Sequence, residues 1–339
     1  MKKIVTIILL AMFSALVYAG DVARKGTTGA DQLLIPVGAR GIATGGAFIS
    51  NLTGLESIYY NPAGLDRSNQ TEALFSYMNY VADLNVSYFG AGTNLGELGS
   101  IGLTFKSIDF GDIPVTTSEF PDGTGTTYSP AFITLGLTYS KVITDRISVG
   151  ANFKFINETI ENTSASGFAI DFGVQYRFDS HISLGATLKN IGGNMSYSGA
   201  DLQQATEIPG SFPGSPNGTY EIVAEEFQLP SYLELAASYN FDMDEQNNLL
   251  LGGTFVANNS LEDALNLGLE YGFMKMFFLR GGYSFALGGN DESIYGFTAG
   301  AGVDYQVGGG IGITFDYAYR DVKDFPTANH IFTVKLAFQ

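Results

Sequence analysis

The chain has no cysteine, no tryptophan and only two histidines in 339 residues. The missing thiols remove disulfides, thiol nucleophiles and thiolate metal sites together. With His181 and His330 as the whole imidazole inventory, no zinc-ligand spacing can be assembled, and no phosphate-binding glycine loop is present. No metal or cofactor is expected. Charge is also scarce, at 15% Asp, Glu, Lys and Arg against about 25% in a soluble domain. What charge exists is acidic: the net value is −17, or −19 once Lys2 and Lys3 are discounted. That sign is the opposite of what binding to phosphate backbones requires, so nucleic acid is excluded as a partner. Beyond the first twenty residues there is no run of roughly 18 apolar residues, the length a membrane-spanning helix needs.

Several features remain. The mean hydropathy is positive, and the chain carries 43 Gly, 26 Phe and 19 Tyr. The first twenty residues read as an export address. Lys2 and Lys3 precede an uncharged stretch, Ile4–Val17, and Val17-Tyr18-Ala19 offers small residues for cleavage before Gly20. Residues 1–19 are therefore expected to be a signal peptide. An exported, apolar, glycine- and aromatic-rich chain without spanning helices points to a membrane barrel, with outer-membrane lipid as its first partner. Lacking Trp, its interfacial belts would be built from Tyr and Phe.

From Thr71 onward, apolar and polar residues alternate with period two. Phe168, Ile170, Phe172, Val174, Tyr176 and Phe178 share one face, opposite Gly167, Asp171, Gly173, Gln175 and Arg177. Such alternation marks strands that meet an apolar medium on one side only. Fourteen segments follow this rule: 71–80, 85–93, 100–108, 131–139, 147–156, 167–178, 182–190, 232–241, 248–257, 264–273, 276–284, 294–306, 310–320 and 330–338. Most have nine or more residues, the length of a tilted bilayer-crossing strand. Their connections alternate between long (109–130, 157–166, 191–231) and short (179–181, 274–275, 307–309), with 81–84 the exception. Outer-membrane barrels show this asymmetry, with long loops outside and short turns toward the periplasm. The expected fold is all-β: a fourteen-stranded antiparallel transmembrane β-barrel over residues 71–339. The last strand alternates Phe332, Val334, Leu336 and Phe338, as a barrel-insertion signal does, although Gln339 follows the aromatic.

Charges obey the same phase. From the fourth strand on, Lys154, Asp171, Arg177, Lys189, Glu234, Glu270, Arg280, Asp304, Asp316, Arg320 and Lys335 all fall opposite the apolar face. A lipid-facing charge at the midplane would cost about 2–4 kcal/mol. Lys154, Asp171, Arg177, Glu270, Arg280, Asp304, Asp316 and Arg320 are the candidate lumen-facing residues. They either line a path for polar solutes or form ion pairs with each other and with the N-terminal segment.

That segment, 20–70, has no strand period. Between Pro36 and Leu65, Gly38, Gly41, Gly45, Gly46, Gly54 and Gly64 interrupt it, and Asn61-Pro62-Ala63-Gly64 closes it. Ile42, Phe48, Ile49, Ile58, Tyr59 and Tyr60 make it too apolar to be a solvated linker. A packed plug is expected, with short helical turns such as Leu55–Tyr60 and with Arg40 available to a lumen carboxylate.

Gly38-Ala39-Arg40-Gly41, Gly45-Gly46-Ala47-Phe48 and Tyr60-Asn61-Pro62-Ala63-Gly64-Leu65 together resemble the opening of the PorV/PorQ family, part of the larger FadL-like group of outer-membrane proteins. Relatives tend to carry a small-Met-Gly run where this chain has Ile42-Ala43-Thr44. The resemblance implies an N-terminal hatch in the lumen, with Gly38, Arg40, Gly41, Gly45, Gly46, Asn61, Pro62, Ala63 and Gly64 as its motif residues. It implies a role in type IX protein export or surface delivery, with exported proteins or secretion-machinery subunits as partners. The alternative it leaves open is FadL-like passage of hydrophobic small molecules such as long-chain fatty acids or aromatics. Neither reading is enzymatic. The long loop 191–231, with Pro209, Pro213, Pro216 and Pro230, is expected to cap the barrel.

Overall fold

The computed structural model describes residues 26–339 except 211, 213–214, 289–293, 308, 324 and 339, so the expected signal peptide lies outside the described residues. Fourteen long strands form the wall. They are β1 (Thr71–Asn79), β2 (Asn85–Asn94), β3 (Ser100–Asp109), β4 (Ala131–Val142), β5 (Ile147–Ile160), β6 (Thr163–Arg177) and β7 (Ile182–Gly192). The second half comprises β8 (Tyr232–Asp242), β9 (Asn248–Asn258), β10 (Ala264–Phe273), β11 (Phe277–Ala286), β12 (Tyr295–Val307), β13 (Ile311–Val322) and β14 (Asn329–Phe338). Each pairs antiparallel with its sequence neighbours, and β1 pairs with β14 from Thr71↔Phe338 to Asn79↔His330. The sheet therefore closes on itself and leaves no edge, the only strand arrangement hydrocarbon tolerates.

The period-two pattern decides which side chains face lipid. Phe168 is 71% exposed and Leu103 62%, whereas Asp171 and Glu270 on the opposite phase are 1% and 2% exposed. The apolar core lies inside the ring. One cluster joins Val37, Ala39, Ile42, Leu55, Ile58 and Leu65 to Leu74, Met78, Val86 and Ile331 of the wall.

Residues 26–68 run through the bore. A 3-10 turn at Asp31–Leu34 is followed by helix α1 (Ala39–Ala43), a second turn at Gly54–Glu56, helix α2 (Ser57–Tyr60) and a third turn at Pro62–Arg67. Thr28 bridges Gln228 of the long loop, so the segment starts beneath that loop. It ends beside the β4–β5 turn, where Arg67 Nη2 donates to the carbonyl of Arg146 at 2.9 Å. Gly38 precedes α1 at φ 83°, and Gly45 and Gly46 follow it at 64° and 74°, values that a side chain would strain.

Two departures from the sequence expectation have physical causes, and the long loop adds a detail of its own. Residues 157–166 were expected as a loop, but β5 and β6 continue to Ile160↔Thr163 and form a projecting hairpin. Its outward positions, Asn157, Thr159, Ser164 and Ser166, are polar, so apolar alternation no longer reports it. The loop 191–231 contains a ribbon, Gln203–Thr206 with Gly218–Glu221, and its Met195 pairs with Phe227 beside the start of the N-terminal segment. The alternation of 294–306 puts Tyr295 in the apolar, outward phase with Phe297, but a register shift between Tyr295 and Thr298 brings its ring beneath the Arg320 guanidinium, 3.4 Å away, and its hydroxyl to Tyr80.

Candidate functional site

The inner surface of the wall is shaped to receive the segment. At nine luminal glycines among the described residues, Gly92, Gly102, Gly150, Gly173, Gly185, Gly252, Gly268, Gly282 and Gly300, a Cβ would come within 3.0 Å of it. Beside α1, a Cβ on Gly268 would lie 2.5 Å from the Thr44 carbonyl oxygen, one on Gly282 2.4 Å from the Thr44 carbonyl carbon, and one on Gly300 2.5 Å from the Ala43 Cβ. On the other side of the bore, a Cβ on Gly150 would meet the Pro62 carbonyl carbon at 2.4 Å and one on Gly173 the Asn61 Oδ1 at 2.1 Å. Glycine serves here because only a bare backbone lets a second backbone approach this closely.

The motif residues act in that packing. Gly41 lies against the Tyr60 ring, where a Cβ would come within 2.2 Å, and a Cβ on Gly64 would lie 2.2 Å from the Leu52 carbonyl. Asn61 is fully buried and accepts the Ala63 N–H at 3.1 Å. Its amide donates to the carbonyls of Ile49 at 3.0 Å and Val174 of β6 at 3.1 Å, tying two parts of the segment to the wall. Pro62 begins the third turn, where its missing N–H costs nothing, and Ala63 is fully buried.

A charged network spans the middle of the bore. Arg40 of α1 donates Nε and Nη2 to the Glu270 carboxylate at 2.8 and 2.9 Å. Arg280 Nε reaches the same carboxylate at 2.6 Å, and its Nη1 reaches Asp316 at 2.5 Å. The Arg40 N–H donates to Glu56 at 3.1 Å. Burial pushes the Glu56 carboxyl above the usual range and Asp316 adds to this, against the pull of Arg40, Lys335 and Arg280. For Arg40, burial works against the charge, but Glu270 and Glu56 outweigh it and hold the guanidinium firmly protonated. These ions are matched in sign, as buried charges must be.

Nearer the long loops, two lysines hold the upper part of the segment and a third lies beside them. Lys106 donates to the carbonyls of Gln32 and Ile35, and Lys189 to the carbonyl of Tyr59. Lys189 also sits 4.0 Å from the Tyr59 ring centroid. Lys154 pairs with Asp171 at 2.6 Å and donates to Asn190, a left-handed residue at the β6–β7 register shift. The space these lysines share with Leu33, Ile58, Tyr59 and Thr134 is about 30 Å³, room for little more than a water.

The candidate residues thus fall into separate groups. Glu270 bonds Arg40 and links it to Arg280 and through that to Asp316, while Lys154 pairs with Asp171 elsewhere. Asp304 accepts from Gln306 at 3.1 Å near the short-turn rim, Arg320 covers Tyr295, and Arg177 opens onto the short-turn mouth. Lys106, Lys189 and Glu56 were not among the candidates. Lys106 was legible, since it shares the inward phase of β3 with Gly102 and Thr104, opposite the exposed Leu103 and Phe105. His330 faces outward and bonds the Tyr317 hydroxyl at 2.8 Å, and His181 occupies the β6–β7 turn.

No family model matches the sequence, and neither does any curated protein. Solved structures do. The CymD monoaromatic hydrocarbon channel aligns over 90% of this chain and 98% of its own, with a TM-score of 0.57 at 13% identity. A Pseudomonas aeruginosa FadL homologue aligns over 90% and 98%, at 0.55 and 11% identity. The Pseudomonas putida toluene transporter TodX aligns over 88% and 96%, at 0.55 and 13% identity. The fold is that of the FadL/TodX-type outer-membrane channels. The match spans nearly the full length of both partners. At such identities the side chains of the bore are this chain's own.

Proposed function

We propose that the chain is a bacterial outer-membrane channel through which hydrophobic small molecules pass, with residues 26–68 acting as a hatch. The observation that carries this reading is the near full-length match to channels described as carrying monoaromatic hydrocarbons or toluene. The interior agrees with it. The segment is held by non-covalent polar contacts, among them Arg40 to Glu270, Lys106 and Lys189 to backbone carbonyls, Gln175 to the Ile49 and Leu52 carbonyls, and Asn61 to β6. A space of about 30 Å³ does not admit an aromatic ring, so passage requires the segment to shift, and such contacts can break and reform on the timescale of lid motions.

The test is uptake of radiolabelled toluene and of a long-chain fatty acid by a host lacking its own hydrophobic-compound channel, with and without this protein. Uptake raised severalfold supports the reading; unchanged uptake of both removes it. The export role implied by the PorV/PorQ resemblance rests on the 38–65 motifs alone, and the comparisons add nothing to it. Loss of surface-attached proteins in a deletion strain, with unchanged uptake, would favour that role instead.

A further inference from the structure

At the short-turn end the bore opens into a recess of about 340 Å³ whose walls include Asp66, Arg67, Glu97, Lys141 and Arg177. Its charges are unequally committed. Asp66 is fully engaged: Oδ1 accepts from Asn94 Nδ2 at 2.8 Å and Ser100 Oγ at 2.6 Å, and Oδ2 accepts the Val142 N–H at 2.7 Å. Its carboxylate is thereby a structural tie between the segment and strands β2, β3 and β4. Arg67 uses Nε on Ser148 Oγ at 2.7 Å and Nη2 on the Arg146 carbonyl, which leaves Nη1 uncommitted. Among the described residues, the Arg177 and Lys141 side chains make no hydrogen bond or ion pair. Elsewhere in the bore Arg40, Arg280, Arg320, Lys106, Lys154 and Lys189 are engaged with carboxylates, carbonyls or aromatic rings.

Two guanidiniums and an ammonium facing one space raise each other's energy. Burial lowers the Arg67 pKa to about 10, and the Arg177 charge adds to the fall while Asp66 opposes it. A folded chain of net charge −17 has ample carboxylates with which to neutralise such a group. At this mouth only the exposed Glu97 remains uncommitted. We propose that the recess binds a small oxyanion, carboxylate or phosphate, between Arg67 of the N-terminal segment and Arg177 and Lys141 of the wall. The planar fork of a guanidinium matches two oxygens of such a group, and charge-assisted bonds of this kind are the strong ones. Arg67 ends the segment, Arg177 ends β6 and Lys141 lies near the end of β4. A bound anion would tie the segment to the wall at its lower end, opposite the lysine contacts near the long loops. The site stands independently of the transport reading, because it follows from the charges that share the mouth and, among the described residues, from the lack of partners for Arg177 and Lys141 there.

The test is calorimetric titration of inorganic phosphate, and separately of succinate, into the full-length protein in neutral detergent at low ionic strength, where screening is weakest. Wild type should bind at least one of them with millimolar or tighter affinity. Phosphate alone, succinate alone or both would assign the class as phosphate, carboxylate or oxyanions in general. Arg177→Gln should weaken binding about tenfold or more, since it removes a charge-assisted pair, and Lys141→Gln by less. Heat-modifiable mobility on gels reports that each variant remains a folded barrel. Should Arg177→Gln fail to assemble, Arg177→Lys retains charge without the fork and should still weaken binding severalfold. The inference is overturned if neither anion binds wild type, or if a folded Arg177 variant binds as wild type does.

Discussion

Glu270→Ala tests the middle of the bore. Glu270 accepts three hydrogen bonds, two from Arg40 on the segment and one from Arg280 on the wall. Its side chain and that of Arg280 are 3% exposed, whereas that of Arg40 is 23% exposed. Without Glu270, Arg280 keeps Asp316, but the Arg40 guanidinium loses its carboxylate while still largely enclosed. Breaking one partner out of a buried pair costs about 3–5 kcal/mol, and the partial exposure of Arg40 places this case near the lower end, about 3 kcal/mol. At 1.4 kcal/mol per factor of ten, the opened population of the segment should rise roughly a hundredfold. The assay is amide hydrogen exchange of purified protein in nanodiscs, read on residues 38–46. The Ile42, Thr44 and Gly46 amides donate to Gly38, Arg40 and Gly41 carbonyls there and exchange only when the segment opens. Glu270→Gln, which keeps an acceptor but not the charge, should fall between wild type and alanine. Exchange within about threefold of wild type, in a variant that still folds, would refute the reasoning that this carboxylate holds the segment in place.

Other consequences are open to simpler measurement. Gly173→Leu places atoms where Asn61 and Pro62 now lie. Overpacking of about 1–3 kcal/mol should speed trypsin cleavage after Arg67, whereas Gly281→Ala, with no atom nearer than 3.9 Å, should not. Phe172→Arg puts a charge on a half-exposed lipid-facing position at a cost of about 2–4 kcal/mol near the midplane; the heat-modifiable folded band should weaken, while Phe172→Leu leaves it intact. Glu56→Gln tests the raised carboxyl. Because the folded-state pKa lies above the unfolded one, the stability Glu56 contributes is complete below the ordinary value and is lost as pH rises through the raised one. The variant should therefore gain on wild type in thermal melts as pH rises from about 4.5 toward 8; a constant difference across that range would contradict the raised carboxyl.

The wall was legible because hydrocarbon imposes a strict rule on it. Phe168, Phe172 and Phe315 face one medium while Asp171, Gly173 and Asp316 face another, and a single phase error would carry the charges into lipid. Where the outward positions turn polar, the rule ends as well, which is why Asn157–Ser166 reads as loop and folds as hairpin. The segment was legible only as too apolar and too glycine-rich to stay in water. Its partners were not, because Arg40 meets Glu270 across 230 positions and neither residue carries a mark of the other. The wall glycines belong between these cases. Their alternation with large residues is visible in Gly268 beside Leu267 and Leu269, but the reason for it, a second backbone in the bore, appears only once the ring is closed. The bulge that turns Tyr295 under Arg320 has no mark in the alternation.

A disulfide tests the account most directly. The chain contains no cysteine, and the hydroxyls of Ser50 on the segment and Ser238 on β8 lie 2.9 Å apart inside the bore, a spacing a Ser50→Cys, Ser238→Cys pair can bridge. Formed in intact outer membranes, that bond should abolish uptake of the hydrophobic solute, and a reductant should restore it. Failure of the pair to join, or uptake indifferent to its oxidation, would contradict the segment's place in the bore or its role as the hatch.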